Sequence, residues 1–212
     1  MHNLVKRFAD GMSSLADFNL DTTVAYGDES VRMVGDPPFY MLGVSLMSDA
    51  TEAELRRLAE IMPKGSRKLH WREMSRKRRK RSLEILADAG CADTVVIAAP
   101  LSGKKQERAR RKCLEAVLPA LESKGVRELV LENRDEAANR LDLNYVDYAK
   151  GSKLVGSIMI THRDAGAEPK LWIANQVLGA MGDYRTRTGE WEYWEKEWLV
   201  LSESVEVIYV SL

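Results

Sequence analysis

Apolar and polar positions recur along the chain with the two periods that distinguish strands from helices. Six short segments are apolar throughout or alternate with period two, which predicts strands that are at least half buried. The link between the first two contains Gly35, Pro37 and Pro38, so these strands are expected to form a hairpin. The predicted strands are 22–30, 39–48, 94–100, 127–132, 156–162 and the C-terminal VEVIYVSL.

Most of the remaining segments repeat apolar residues every three or four positions, which predicts amphipathic helices. Ser48 or Asp49 is placed to cap one helix, and Gly90 and Gly125 end two others. Pro119 lies within a predicted helix, which it is expected to kink or interrupt. The predicted helices are 3–18, 48–61, 75–89, 104–123, 134–149, a helix opened by Pro169 and the tryptophan-rich WEYWEKEWLV.

A hairpin followed by strands that alternate with helices predicts an α/β domain, with a mixed sheet and helices on both faces. Residues 1–20 are expected to form a helical extension, 21–185 the main domain, and 186–212 a C-terminal extension of one helix and one strand. The first helix and the tryptophan-rich tail are candidate contact surfaces for a protein partner or a second copy of the chain. Tryptophans spaced three and four apart, as in this tail, are typical of core or interface packing.

Composition excludes several classes of protein. The 212 residues are 45% hydrophobic and 30% charged, which suits a globular domain. No apolar stretch approaches the length of about 18 residues that spans a membrane, and the first residues lack the apolar core of a signal peptide. Cys91 and Cys113 make neither a disulfide framework nor a zinc site, so a cytoplasmic location is expected.

Net charge is zero, with 32 basic and 32 acidic residues, but the charges are segregated. Residues 64–81 hold ten Lys and Arg against the single acid Glu73, and residues 104–112 hold six against one. Such segments bind polyanions through local phosphate contacts, although solvated helix faces have the same composition. Residues expected to contact nucleic acid are Lys68, His70, Arg76, Lys77, Arg78, Arg79, Lys104, Lys105 and Arg108.

Two predicted strands end in carboxylates. Asp28 and Glu29 close the first strand, and Glu132 closes LVLE. An acid at the end of an apolar strand is costly unless it is paired or binds a metal. Side by side, Asp28 and Glu132 would raise each other's pKa unless a cation lay between them, and such oxygen ligands suit Mg²⁺ or Mn²⁺. Taken singly, each acid is better explained by a structural role, Asp28 as a hairpin cap and Glu132 as the start of a helical turn.

Several segments resemble a family of small prokaryotic proteins, linked to phages and mobile elements, that is known as the domain of unknown function numbered three thousand eight hundred. Their order and spacing carry the resemblance over most of residues 22–185. It implies a ribonuclease H-like fold for 21–185 and a metal-dependent nuclease activity. The matching segments are YGDES at 26–30, YMLGVSL at 40–46, LHWREM at 69–74, RELVLENRD at 127–135 and PKLWIANQVLGAM at 169–181.

By this resemblance, Asp28 and Glu132 match metal-ligating acids of the family, and Glu73 matches an acid that follows the hairpin. The last acid of the family is an aspartate in the segment that reads IANQV here, where this chain has Asn175. An amide oxygen can ligate a metal but brings no charge, so weaker metal binding is expected. Asp183, further along the same predicted helix, is a candidate metal ligand that would compensate.

Three functional hypotheses follow. The first is a nuclease that hydrolyses DNA or RNA with Mg²⁺ or Mn²⁺ by a two-metal carboxylate mechanism, with Asp28, Glu73, Glu132, Asn175 and Asp183 at its site. The second is a ribonuclease H-like module that has lost catalysis and binds nucleic acid or protein. The third is a structural or assembly protein of a phage or mobile element, which would use the N-terminal helix and the tail as contact surfaces.

Overall fold

The computed structural model describes residues 24–35, 37–47, 51–103 and 105–212. These residues form an α/β fold with six strands, six α-helices and two short 3-10 turns, at Trp71–Glu73 and Trp191–Tyr193. In chain order the main elements are β1 (Val24–Arg32), β2 (Phe39–Leu46), α1 (Thr51–Glu60), α2 (Arg76–Ala89), β3 (Ala92–Ala99), α3 (Gln106–Ser123), β4 (Glu128–Glu132), α4 (Glu136–Gly151), β5 (Met159–Arg163), α5 (Leu171–Thr186), α6 (Glu195–Ser202) and β6 (Val205–Ser211).

Each predicted strand has an observed counterpart, and so does every predicted helix except the first. The predicted helix at 3–18 and the candidate caps Ser48 and Asp49 lie outside the described residues. The expectation for Pro119 was wrong as regards an interruption, because α3 continues past it to Ser123. None of the helices in the described ranges is long and apolar enough to cross a membrane.

The six strands form one mixed sheet in the order β5-β4-β1-β2-β3-β6. β1, β2 and β3 are antiparallel neighbours, which confirms the hairpin. β4 pairs in parallel with β1 and β5, and β6 pairs in parallel with β3. At the centre, Gly27 of β1 lies opposite Val44 of β2 on one side and Leu131 of β4 on the other. A predicted mixed sheet is therefore confirmed.

Alternate residues of the strands enter two separate cores, because successive side chains of a strand point to opposite faces. Tyr26 and Met41 pack with residues of α1, α2, α5 and α6, whereas Ala25 and Leu42 pack with residues of α3 and α4. Helices thus cover both faces. α5 is apolar around most of its circumference, since it packs against the sheet and also against α2 and α6.

The C-terminal residues complete this domain. β6 extends the sheet beyond β3, and α6 packs against α2 and α5. Trp194 and Trp198 are buried in the core on the α5 side, and Trp194 meets Trp71 edge to face at 5.2 Å between ring centroids. Core packing, rather than a contact surface, therefore accounts for these two tryptophans.

Gly179 of α5 allows the Trp71 turn to approach the helix closely. A Cβ on Gly179 would lie 2.6 Å from Trp71 Cδ1 and closer still to Cβ and Cγ of the same side chain. Only glycine leaves room for the indole, which is 1% exposed. Trp71 is therefore a core residue with no face free to stack on a base.

Candidate functional site

Asp28 and Glu132 lie side by side at the point where the parallel pairing of β1 and β4 ends. Gly27 pairs with Leu131, so the next residue on each strand is one of the two acids. Neighbouring strands are about 4.8 Å apart, and both acids line one cleft of about 210 Å³. The parallel pairing of β1 with β4 thus supplies the condition under which the sequence analysis brings the two acids together.

The Asp28 carboxylate is in an unfavourable environment for a charge. It is 7% exposed, and burial, followed by the charge of Glu132, raises its pKa from 3.8 to about 7. Two hydrogen bonds oppose the shift: Glu29 N donates to Oδ1 at 2.7 Å, and Asn175 Nδ2 donates to Oδ2 at 2.7 Å. Near neutral pH, Asp28 is therefore poised to exchange a proton or to accept a cation.

Asn175 contacts Asp28 through its amide nitrogen and not through its oxygen. Its Oδ1 accepts a hydrogen bond from the backbone N–H of Trp71 at 2.9 Å. A backbone N–H can only donate, so this contact fixes which end of the amide faces Asp28. The expectation that the Asn175 oxygen ligates a metal is wrong for this geometry, because that oxygen is already bonded and points to Trp71.

Lys68 and His70 border the acid pair. Lys68 Nζ forms an ion pair with Glu132. Burial lowers the pKa of Lys68, but the hydrogen bond and charge of Glu132 outweigh it, so the pKa is raised overall. His70 lines a second cleft of about 250 Å³ together with Glu29 and Asn175; burial and the Lys68 charge lower the pKa of His70. Of the residues expected to contact nucleic acid, these two lie beside the acids.

Glu73 is not part of the acid pair. It lies exposed at the end of the Trp71–Glu73 turn, where its carboxylate accepts a 3.4 Å hydrogen bond from Ser66 Oγ. The structure places it on the surface near His70, with no contact to Asp28 or Glu132.

Asp183 is remote from the acid pair as well. It follows Asn175 by two helical turns, a rise of about 12 Å along α5. Its carboxylate bonds Trp71 Nε1 at 2.8 Å, Arg32 at 3.3 Å and Arg79 at 3.4 Å. Both oxygens are thus engaged in a buried cluster that holds the Trp71 turn on α5. The structure gives Asp183 a structural place and does not bring it to the predicted metal site.

The basic run at 76–81 is largely neutralised within the chain. Arg79 is nearly buried, donating to Trp71 O and Gly189 O as well as to Asp183. Most of the other cations of the run face acids of α2 or of the C-terminal region. These pairs are Arg76 with Glu190, Lys80 with Glu197 and Arg81 with Glu84.

Four of the lysines and arginines predicted to contact nucleic acid remain free for an external anion in the described ranges. Lys77 and Arg78 are exposed, with no ion pair among the described residues. Lys105 and Arg108 are exposed at the start of α3, and Lys104 lies outside the described residues. Arg79 is a poor candidate for a nucleic-acid contact, because its guanidinium is engaged by Trp71, Asp183 and Gly189 and its side chain is only 13% exposed.

A buried charge network beneath the cleft was missed by the sequence analysis. Arg110 donates to Asp142 through Nε and Nη2, both at 2.8 Å, and to Glu29 at 2.7 Å. Asp142 also contacts His162 at 2.9 Å and Arg134 at 3.3 Å. Burial alone would raise the pKa of Asp142, but the bonds from His162 and Arg110 hold it at about 2. The network fixes Glu29 and supports the floor of the cleft, which Arg110 and Arg134 line.

A sequence signal for this network exists. Arg110 falls in the apolar repeat of α3 with Cys113, Leu114 and Val117, all of which are buried. An arginine on a buried helix face requires a partner, because an unpaired buried charge is costly. The buried face of α4 supplies that partner in Asp142.

The acids available for a metal are thus Asp28 and Glu132. Within the described ranges, no group of three or more His, Cys, Asp or Glu side chains is arranged to hold a metal ion. No protein-family model matches the chain, and no curated protein matches it either.

Proposed function

We propose that the chain is a divalent-metal-dependent nuclease with a ribonuclease H-like fold, whose reaction takes place at Asp28 and Glu132. One observation carries the proposal: two carboxylates share a cleft at the end of adjacent parallel strands, and the pKa of Asp28 is raised to about 7. The Lys68 ammonium neutralises Glu132, but Asp28 has no ion pair among the described residues, so its buried charge is costly without a further cation. Perturbed acids in clefts are characteristic of functional sites.

The donor set fits one hard divalent cation better than two. Asp28 and Glu132 supply carboxylate oxygens, the ligands that Mg²⁺ and Mn²⁺ prefer, and open positions would be filled by water. Asn175 presents its amide nitrogen, and Asp183 bonds Arg32 and Arg79. The proposal is therefore narrower than the two-metal mechanism expected from the sequence.

Residues around the pair have distinct roles in this proposal. A bound cation would polarise a phosphodiester and lower the pKa of an attacking water. Asn175 orients Asp28 through its 2.7 Å hydrogen bond. Lys68 forms an ion pair with Glu132, and its side chain is 37% exposed, so its ammonium is placed to contact a phosphate at the rim of the cleft.

The fold assignment within the proposal is supported by topology. The sheet combines an antiparallel β1–β2–β3 meander with parallel β4 and β5, and helices cover both faces. This mixed sheet is compatible with the ribonuclease H-like class that the sequence resemblance implies. Fold alone does not define the reaction, because one fold hosts many activities.

A second candidate is a binding module that has lost catalysis. Two contacts favour it: the Asn175 amide donates to Asp28, and the Lys68 ammonium neutralises Glu132. In this arrangement, side chains of the protein occupy positions on both acids that a metal ion would otherwise take.

A cleavage assay separates the two candidates. Labelled single-stranded and double-stranded DNA, RNA and the hybrid are incubated with Mg²⁺ or Mn²⁺ and wild-type, Asp28→Asn or Asp88→Asn protein. Asp88 is a surface acid paired with Arg57 and serves as the matched control. The nuclease proposal predicts metal-dependent cleavage that Asp28→Asn abolishes and Asp88→Asn retains, while gel shifts persist in both variants.

The result for Asn175→Asp completes the test. If wild-type protein cleaves none of the substrates and calorimetry detects no Mn²⁺ binding, the binding module is the better description. Cleavage or Mn²⁺ binding that appears only in Asn175→Asp would then identify position 175 as the reason for the loss. Cleavage that survives in Asp28→Asn would refute the proposed site.

A further inference from the structure

Helices α3 and α4 form an open groove on the face of the sheet opposite α5. Its volume is about 610 Å³, within the range of about 300–1,000 Å³ typical of ligand sites. Charged, polar, apolar and aromatic residues all line the groove, and its exposed surface is mostly apolar. Leu141 and Tyr148 are 51% and 56% exposed. Exposed apolar groups gathered in a concave surface mark a binding site more often than isolated ones do. The α3–α4 groove is defined here by Arg108, Arg111, Leu141, Tyr145 and Tyr148.

The free charges of the α3–α4 groove are positive. Arg108 and Arg111 are exposed, and neither forms an ion pair with any residue that the structure describes. The acids that line the groove are already neutralised: Glu107 pairs with Arg134 at 2.6 Å, and Asp142 is held by Arg110 and Arg134. An anionic ligand therefore meets two unpaired guanidinium groups and no unpaired carboxylate of the lining.

Of the two tyrosines in the groove, only Tyr148 has an exposed ring. Tyr145 is largely buried and lies 6.3 Å from Tyr148 between ring centroids. Arg111 lies 5.7 Å from the centroid of each ring, which holds the guanidinium and the two tyrosines in one cluster. Tyr148 retains enough exposed surface to stack on a planar ligand.

The α3–α4 groove adjoins the cleft that holds Asp28 and Glu132. Arg134 lines that cleft and is bonded to Glu107 and Asp142, which line the groove. A ligand longer than the groove would thus pass over Arg134 towards the two acids.

We propose that the α3–α4 groove binds single-stranded nucleic acid, with phosphates on Arg108 and Arg111 and a base stacked on Tyr148. This inference rests on the proposed function and names its substrate as a single strand. Stacking requires the π-face of a base, which a duplex keeps covered within its own stack. The combination of unpaired arginines with an exposed tyrosine fits the two recurring contacts of single-strand binding, phosphate pairing and base stacking.

Fluorescence anisotropy with labelled oligothymidylate, and with its duplex, tests this proposal. Asp28→Asn protein in EDTA is the background, so that cleavage does not interfere. Tyr148→Ala is compared with Tyr209→Ala, which removes a tyrosine that is 64% exposed on β6. Arg108→Ala is compared with Arg140→Ala, which removes an exposed arginine of α4 that is paired with Glu136.

Tyr148→Ala is expected to weaken binding of the single strand by about fivefold to about 150-fold, the range for loss of one stacked base. The salt dependence of the affinity should be the same in Tyr148→Ala as in the background protein, because the tyrosine carries no charge. Arg108→Ala is expected to reduce the slope of log affinity against log salt by about 0.7, the value for one phosphate contact of a single strand. The Tyr209 and Arg140 variants should bind like the background protein.

Three results would overturn the inference: no measurable binding of the single strand, equal effects of Tyr148→Ala and Tyr209→Ala, or a duplex that binds as tightly through Tyr148. Failure of the inference is distinguishable from failure of the proposed function. Cleavage that depends on Asp28 but not on Tyr148 would leave the nuclease in place without this groove. Binding through Tyr148 in a chain that cleaves nothing would leave the groove in place without the nuclease.

Discussion

Asp28→Asn is expected to stabilise the metal-free protein, even though it removes a residue of the proposed site. The wild-type carboxylate is buried beside Glu132, and its pKa rises from 3.8 in the unfolded chain to about 7 in the folded one. Folding at neutral pH therefore either protonates Asp28 or buries its charge, and both cost free energy. An asparagine has no charge to bury, so it avoids this cost. Functional sites often carry strain of this kind.

The magnitude follows from the pKa shift. A rise of about 3 units corresponds to about 4 kcal/mol at pH above 7. The asparagine loses part of this gain, because its single oxygen cannot accept from both Glu29 N and Asn175 Nδ2, which donate to different oxygens of Asp28. A lost hydrogen bond costs about 1–2 kcal/mol. The net gain in the free energy of unfolding at pH 8 is therefore about 2–3 kcal/mol.

The pH dependence has a definite sign. Because the folded pKa is raised, wild-type stability attributable to Asp28 is fully present below about pH 4 and is lost as pH rises to about 7. Urea unfolding of both proteins at pH 5 and pH 8 measures the difference. The advantage of Asp28→Asn should grow by about 3 kcal/mol between these two values. Other groups that titrate in this range, such as Asp93, cancel in the comparison.

Asp183→Asn is the contrasting variant. It leaves Arg32 and Arg79 without their buried carboxylate, so it should destabilise by about 3–5 kcal/mol at both pH values.

Mn²⁺ should stabilise wild type but not Asp28→Asn, since binding to the folded state alone adds stability. If Asp28→Asn were destabilising to the same extent at pH 5 and pH 8, the reasoning about a strained acid pair would be refuted.

Two further predictions concern other parts of the fold. Asp93 is 3% exposed, its Oδ2 has no hydrogen-bond partner, and burial raises its pKa from 3.8 to about 6. Asp93→Asn should therefore stabilise the protein by up to about 3 kcal/mol above pH 6, measured by urea unfolding. That gain should disappear as pH falls to about 4, and a gain that is independent of pH would contradict the assignment. Gly179→Ala drives a Cβ into Trp71 and should cost about 1–3 kcal/mol or more, measured by tryptophan fluorescence during unfolding. Gly151→Ala, where a Cβ meets nothing within 4 Å, is its control and should be neutral or slightly stabilising; equal effects at the two glycines would refute the packing argument.

Much of the fold could be predicted from local patterns. Continuous apolar runs located β2 and β3, and Gly90, in the left-handed conformation, ends α2 as expected. The apolar residues of β1 and β4 each lead into a carboxylate, which marked Asp28 and Glu132 as acids at strand ends. The positions of these strands, of the helix end and of the strand-end acids depend on residues close together in the chain, so the sequence pattern predicts them directly.

Other features were decided only by tertiary packing. Arg79 is in a run that reads as a nucleic-acid surface, yet it lies against Asp183, 104 residues away. The sequence marks Asn175 as a candidate site residue, but the direction of its amide depends on Trp71, also 104 residues away. The α3–α4 groove forms only because α3 and α4 are neighbours on one face of the sheet.

The physical distinction is one of range. The sequence by itself determined the elements, the mixed sheet and the acids at the strand ends, since hydrophobic period, turn residues and strand ends act locally. The pairing of β1 with β4, which brings Asp28 next to Glu132, is a contact between distant segments and was decided by the tertiary structure. Tertiary structure alone decided which charges are neutralised, because an ion pair depends on where two distant segments meet. The packing of α6 and of the segment before it on α2 places Glu190 and Glu197 beside Arg76 and Lys80. These acids neutralise part of the basic run, and neither segment alone shows this.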